Sequence, residues 1–220
     1  MTVIIKDMPK LESPFVRKMI NKAYVVTPEI CEGLRWVFEG NEDEVVCTEK
    51  LDGTNVSIVI ENGEITQIYN RLNKVPFIGK GQNRYIVEAL INSYNKGYMD
   101  DLGDGQHFGE VIGEKFGGAE TGICNPYKMK EHLWIPFTTY ARKHLCYKSW
   151  HKYPKTFENI SNWFRSDIKD GGIFSLFMRR WSGELQKPEG VVFHNLKTGE
   201  MAKLRLDMFD WWQGKRHKAR

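Results

Sequence analysis

The run Thr48-Glu49-Lys50-Leu51-Asp52-Gly53-Thr54-Asn55 sets a lysine at the end of an apolar stretch and follows it with an acid, a glycine and small polar residues. A turn of that composition exposes the amine. Lysine is protonated in water, with an ordinary pKa of about 10.4, and it becomes a nucleophile only once the proton has left. Neighbouring cations and partial loss of solvent both favour the neutral form. Downstream stand Arg71, Phe108-Gly109-Glu110, Trp134-Ile135-Pro136-Phe137, Glu189-Gly190-Val191-Val192 and Lys203-Leu204-Arg205. Carboxylates accept hydrogen bonds from hydroxyls, and an aromatic face stacks on a base for roughly 1–3 kcal/mol. Lys203 and Arg205, two apart on a strand, share a face and can reach one anion.

These residues need elements to hold them. Val45, Val46 and Cys47 read as a strand leading into Lys50, and Val56, Ile58 and Ile60 alternate with polar neighbours at the period of a half-buried strand. Asn62-Gly63 predicts a type I′ turn, so residues 56–61 and 64–69 form a tight hairpin. With Glu61 facing Glu64, the register sets Arg71 opposite Thr54 and brings it toward Lys50. Residues 82–96 predict an amphipathic helix with Ile86, Leu90 and Tyr94 on one face and Val87 and Ile91 beside them, ending at Gly97. Ile160, Trp163, Phe164 and Ile168 predict a second, stopped by Asp170-Gly171-Gly172. Gly190–His194 and Met201–Leu206 read as strands joined around Lys197-Thr198-Gly199, a pairing that brings Glu189 and Lys203 close. Ser13-Pro14 with Phe15, Val16, Met19 and Ile20 predicts a short helix. Gly103, Gly105 and Gly109 are not arranged as a phosphate-binding loop, and that segment reads as a loop before the Glu110 strand. Local hairpins without regular strand-helix-strand alternation point to an α+β fold of antiparallel sheets with flanking helices.

Composition narrows the class. At 220 residues, with 41% hydrophobic and 27% charged residues, the chain suits one well-buried domain. The organisation expected is a lead-in over residues 1–44 packed on the domain, a catalytic domain over 45–213 and a basic tail over 214–220. Lys215, Arg216, Lys218 and Arg220 in that tail account for the whole formal charge of +4. Such a tail can hold phosphates, and its deletion is expected to weaken polynucleotide binding at low salt more than any covalent step at Lys50. Cys31, Cys47, Cys124 and Cys146 form no Cys-x-x-Cys pair and read as reduced thiols in a cytoplasmic setting, of the host if the source is viral. Together with His132, His144 and His151 they match no zinc-finger spacing. No apolar run reaches the length of a membrane span, so no membrane partner is expected.

The order and spacing of the motifs from residue 45 to 207 resemble the covalent nucleotidyltransferase superfamily of ATP-dependent RNA and DNA ligases and messenger-RNA capping enzymes. Glu-Lys-x-Asp-Gly-Thr-Asn followed about sixty residues later by Phe-Gly-Glu is most similar to the RNA ligases that seal nicks. The resemblance implies the ligase-type adenylation fold. It implies that Lys50 takes AMP from ATP as a lysyl adduct, that Glu49 sits at the adenine edge, and that Arg71 and Glu110 hold the ribose. Asn55 belongs to the same nucleotide-binding set. It further implies that Phe137 stacks on adenine, that Glu189 serves a Mg²⁺ or Mn²⁺ ion, and that Lys203 and Arg205 neutralise phosphates. The expected partner is a polynucleotide, RNA with 5′-phosphate and 3′-hydroxyl ends. Attack on phosphorus gathers negative charge on oxygens, so cations aimed there supply much of the rate.

Three departures qualify the resemblance. Position 205 is Arg where relatives usually have Lys, which changes hydrogen-bond geometry. Thr138 follows Phe137 where an acid is common. Few residues follow Arg205, so no C-terminal OB-fold is expected, and a complete capping enzyme or standard DNA ligase is disfavoured. The alternatives are a minimal ATP-dependent DNA ligase and a non-catalytic module that binds nucleotides or nucleic-acid ends.

Overall fold

A computed structural model describes residues 4–117, 127–152 and 154–216. The chain divides into two compact units. One comprises Asp52–Gly117 and Tyr127–His144 with the segment up to Lys10, and the other comprises Leu11–Leu51 with Leu145–Arg220.

The second unit opens with a hairpin, β1 (Phe15–Ile20) and β2 (Ala23–Ile30), followed by the short helix α1 (Trp36–Glu39) and strand β3 (Val45–Lys50). The helix expected over residues 14–20 is therefore a strand. Asn21 and Lys22 both take positive φ, 50° and 64°, as the central residues of a type I′ turn must, and Ile20 pairs with Ala23 across it. Phe15/Met19 and Val16/Ile20 satisfy a period of two as well as a spacing of four. The hairpin wins because its turn closes two strands at once, and Met19 and Ile20 are left exposed rather than on a helix's buried face.

The first unit holds β4 (Thr54–Glu61), β5 (Glu64–Asn70), β6 (Asn73–Val75), helix α2 (Asn83–Asn95), β7 (Gly105–Ile112), β8 (Leu133–Pro136) and the short helix α3 (Arg142–His144). Its five strands run β6-β5-β4-β7-β8, every neighbouring pair antiparallel. The Asn62-Gly63 turn forms as expected, and Asp104 accepts from both backbone amides at 2.9 and 3.0 Å. The register does not persist: a bulge between Val59 and Ile60 shifts it by one, so that Val56 faces Asn70. Arg71 then leaves the ladder and lies in the turn between β5 and β6, not opposite Thr54. Helix α2 buries Ile86, Ala89, Leu90 and Ser93, while Ile91 and Tyr94 face solvent. The buried stripe is thus rotated toward the small residues, which let the helix approach the sheet closely. Strand β7 begins at Gly105, so Gly105 and Gly109 lie in the strand expected to be preceded by a loop. A side chain at Gly109 would strike Trp134 and the Ile135 carbonyl, whose strand packs directly alongside. Val56, Ile58, Ile68, Val111 and Trp134 make the core with α2.

Returning to the second unit, α4 (Phe157–Arg165) starts where Thr156 accepts from the Asn159 amide at 3.3 Å, a cap worth about 1 kcal/mol. Ile168 belongs to a separate single turn closed by Gly171 at φ 86°, not to the helix. Helix α5 (Leu176–Trp181) precedes β9 (Gly190–Asn195) and β10 (Met201–Arg205), which form the order β10-β9-β3. Lys50 faces Gly190, which faces Arg205; Thr48 faces Val192, which faces Lys203. Alternation makes the two faces of this sheet different. Cys47, Val191, Phe193, Ala202 and Leu204 point into an aromatic core with Phe15, Trp150, Phe164 and Phe209, so residues of the expected lead-in are part of this unit's interior. The other face carries Thr48, Lys50, Val192, His194, Lys203 and Arg205.

Candidate functional site

The charged face is built by register. Gly190 stands between Lys50 and Arg205, and a Cβ there would lie 2.1 Å from the Leu204 carbonyl, so only glycine lets β9 and β10 close. No side chain then separates the two cations. Glu189, the residue before β9, fills the position with its carboxylate. Lys50 Nζ donates to Glu189 Oε2 at 2.5 Å and to the Leu51 carbonyl at 3.3 Å. Arg205 Nη1 lies 3.7 Å from Glu189 Oε1, and its Nε lies 2.9 Å from Asp207 Oδ1. The Glu189 side chain is 3% exposed and that of Lys50 is 20% exposed. Such a pair is costly to break, since either partner alone would be a buried charge.

Lys203 shares this face. Burial, then the charges of Lys50 and Arg205, push its ammonium down to about 8. It is a cation held against both desolvation and like charge, ready to be stabilised by an incoming anion. Glu189 and Lys203 come close, as the pairing suggested, near enough for the Glu189 charge to act on the Lys203 ammonium; in the ladder itself Lys203 faces Val192, and the Glu189 carbonyl accepts from the Leu206 amide at 3.0 Å.

Glu49 points the other way. Its carboxylate is 3% exposed and accepts from Ser175 Oγ at 2.6 Å and from the Phe177 amide at 2.8 Å. Ser175 in turn accepts from the Met178 amide at 3.1 Å, so Glu49 ties β3 to the start of α5. Adjacent side chains of a strand point to opposite faces, and that of Glu49 is turned toward Ser175 and Phe177.

The other compact unit holds the rest. Asn55 on β4 faces Glu110 on β7; Glu110 Oε1 accepts from the Gly53 amide at 3.2 Å, and Asn55 Nδ2 donates to the Gly109 carbonyl at 3.4 Å. A Cβ on Gly53 would lie 2.0 Å from the Val111 carbonyl, which explains the glycine in this turn. Phe137 is half-buried just past the end of β8, where it starts a helical turn over Phe137–Ala141. Arg71 is exposed, takes φ 57° at a cost of about 1 kcal/mol for a non-glycine residue, and lies 3.7 Å from Asp7. The structure thus joins Glu49, Lys50, Glu189, Lys203 and Arg205 in one unit, and Asn55 with Glu110 in the other. Arg71 lies in a turn and Phe137 just past a strand end.

Three residues at or beside the charged face, Thr48, His194 and Asp207, receive no role from the motif reading. Thr48 Oγ1 and His194 Nε2 are buried 2.9 Å apart, on the face of Lys50 and Lys203. Asp207 holds Arg205. Counting by twos from Lys50 and Arg205 would have found Thr48 and Asp207, but His194 needs the register between strands.

A divalent ion prefers oxygen donors, commonly one or two carboxylates completed by phosphate oxygens and water. The Glu189 carboxylate, on the face of Lys50 and Lys203, is one such donor. Among the described residues no group of three or more His, Cys, Asp or Glu side chains is placed to hold a metal, and Cys124 lies outside them. No described helix is long and apolar enough to cross a membrane.

Among solved structures, a variant of Naegleria gruberi RNA ligase with ATP and manganese superposes with a TM-score of 0.50 and 17% identity, over 89% of this chain and 59% of that one. An apo variant of the same ligase gives 0.48 and 17%, over 90% and 61%. A variant with AMP and manganese gives 0.48 and 17%, over 89% and 59%. The chain spans about three fifths of the length of these ligases. No curated protein sequence matches it significantly. The first superposition extends the antiparallel α+β architecture to a ligase nucleotidyltransferase fold. The sequence model of the RNA ligase family matches residues 43–205, from just before β3 to the last residue of β10, and so takes in every residue of the charged face: the chain belongs to the RNA ligase family.

Proposed function

We propose that the chain is an ATP-dependent RNA ligase that carries AMP on Lys50, passes it to a polynucleotide 5′-phosphate and joins that end to a 3′-hydroxyl. The observation that carries this reading is the half-buried Lys50 amine, 2.5 Å from Glu189, on a sheet face shared with Lys203 and Arg205. A nucleophilic amine must be neutral, and Glu189 is the adjacent acceptor for its proton. Nζ then bonds to the α-phosphorus as the bond to pyrophosphate breaks. Negative charge grows on the phosphate oxygens, where Lys203 and Arg205 act most strongly because their face is poorly solvated. Glu189 would hold Mg²⁺ or Mn²⁺, which when bound offsets charge on the triphosphate. In this reading Asn55, Arg71 and Glu110 serve the ribose and Phe137 the base. Glu49 is assigned a positioning role rather than the adenine edge, because its oxygens already accept from Ser175 and Phe177. Residues 45–213 would be the nucleotidyltransferase domain.

The test is incubation with α-labelled ATP and Mg²⁺ or Mn²⁺, followed by denaturing electrophoresis. Label should stay with the chain and vanish in Lys50→Ala. Label absent with every divalent metal would favour a non-catalytic binding module. Sealing of nicked DNA but not nicked RNA would favour a DNA ligase.

A further inference from the structure

The edge of the five-stranded sheet carries a charge pattern that the nucleotide chemistry does not use. From Ile65 to Val87 the chain has no acidic residue, and beyond Arg71 it carries Lys74, Lys80 and Arg84. All three of these cations are exposed. They are interleaved with apolar side chains that also face solvent: Leu72 is 61%, Phe77 50% and Ile78 89% exposed. Lysine and proline on an edge strand discourage pairing with another chain, which accounts for Lys74 and Pro76. It accounts for neither Phe77 and Ile78 nor the cations at 80 and 84, which lie beyond β6.

Two features hold the cations ready for an anion. The Arg84 guanidinium sits 4.5 Å from the Tyr85 ring centroid and donates to the Tyr85 hydroxyl, while that ring packs 4.7 Å from His132. Glu88, the nearest acid in sequence, is occupied by His132 Nδ1 at 3.0 Å. Lys74 lies 3.5 Å from a neutral partner, Gln67, and Lys80 makes no ion pair among the described residues. Exposed cations interleaved with an exposed aromatic ring are the combination that binds unpaired nucleic acid, with backbone phosphates on the cations and a base on the ring.

We propose that residues 72–85 form a docking surface for an unpaired stretch of RNA, with Lys74, Lys80 and Arg84 on phosphates and Phe77 against a base. This rests on the RNA ligase reading for the choice of RNA, and on the surface alone for the binding mode. The test uses the full chain, a fluorescent single-stranded RNA read by anisotropy across a salt series, and the ATP-labelling assay in parallel. The combined variant Lys74→Ala, Lys80→Ala and Arg84→Ala should bind at least about tenfold more weakly at low salt. Its slope of log affinity on log salt should fall by about 2, as expected for three lost phosphate contacts at roughly 0.7 each. Phe77→Ala should weaken binding about tenfold with the slope unchanged. Neither should alter labelling of Lys50.

Unchanged affinity and slope in the combined variant would overturn the surface. A reduced slope with no effect of Phe77→Ala would overturn the unpaired strand in favour of a duplex. Loss of RNA binding as foreseen, in a chain that never takes label from ATP, would sustain the docking surface while removing the ligase reading.

Discussion

The two sheets use charge in opposite ways. The three-stranded sheet has one aromatic face and one on which Lys50, Lys203 and Arg205 are gathered around Glu189, largely out of water. The five-stranded sheet keeps its interior to hydrocarbon and Trp134, and its cations stand in solvent along the β6 edge. A buried charge is held by its neighbours and punishes their removal, whereas an exposed one is solvated and its neighbours matter little. The first arrangement suits chemistry on one phosphate. The second suits contact with a chain of phosphates.

Removing Glu189 should expose this contrast most sharply. Glu189→Ala leaves Lys50 and Arg205 facing one another without their anion and should cost about 3 kcal/mol, read from urea unfolding. A cost under about 1 kcal/mol would mean that the face is wet and that the two sheets do not differ as described.

Lys203 sharpens the comparison through pH. Its ammonium titrates at about 8 in the folded chain, against an ordinary 10.5. Between those values the unfolded chain holds a proton that the native chain has lost, so stability rises with pH across that window. Lys203→Met removes the term, and should therefore raise the melting temperature near about pH 7, with the advantage fading as pH climbs from about 8 toward about 10.5. An advantage independent of pH would show that packing, not charge, is responsible.

The smallest effect belongs to the first unit's surface. Lys143 and Asp101 lie 3.2 Å apart with both side chains more than half exposed. Lys143→Ala should change stability by less than about 0.5 kcal/mol, measured in the same unfolding experiment. A larger loss would place this pair with the buried face rather than with the solvated edge.

Arg216 adds a correction to the basic-tail expectation. Its guanidinium donates to the carbonyls of Asp207, Phe209, Asp210 and Trp212, so this cation is engaged in holding the segment after β10. Residues 217–220 lie outside the described residues.

Local chemistry was legible in the residues. A turn that needs positive φ announces itself as Asn62-Gly63, a helix as the spacing of Ile160, Trp163 and Phe164, and a nucleophile at a strand end as Lys50 followed by Asp52-Gly53, because each depends on a few nearby side chains. The same reasoning missed the β1–β2 hairpin, since Asn21-Lys22 is a weaker turn signal than Asn-Gly and the apolar spacing fits both periods. It misplaced Arg71 because a bulge shifts the register by one and the chain turns at Arg71-Leu72 into β6.

What the sequence by itself determined was the set of groups and their order along the chain, enough to imply lysine nucleophilicity, cationic support and an antiparallel α+β fold. The tertiary structure alone decided which groups share a face. Strand pairing set Arg205 across Gly190 from Lys50, turned Glu49 away toward Ser175, and brought His194 to Thr48 from far along the chain. Burial and Coulomb energy depend on distance in space, and spacing along a chain does not set that distance until the strands have paired.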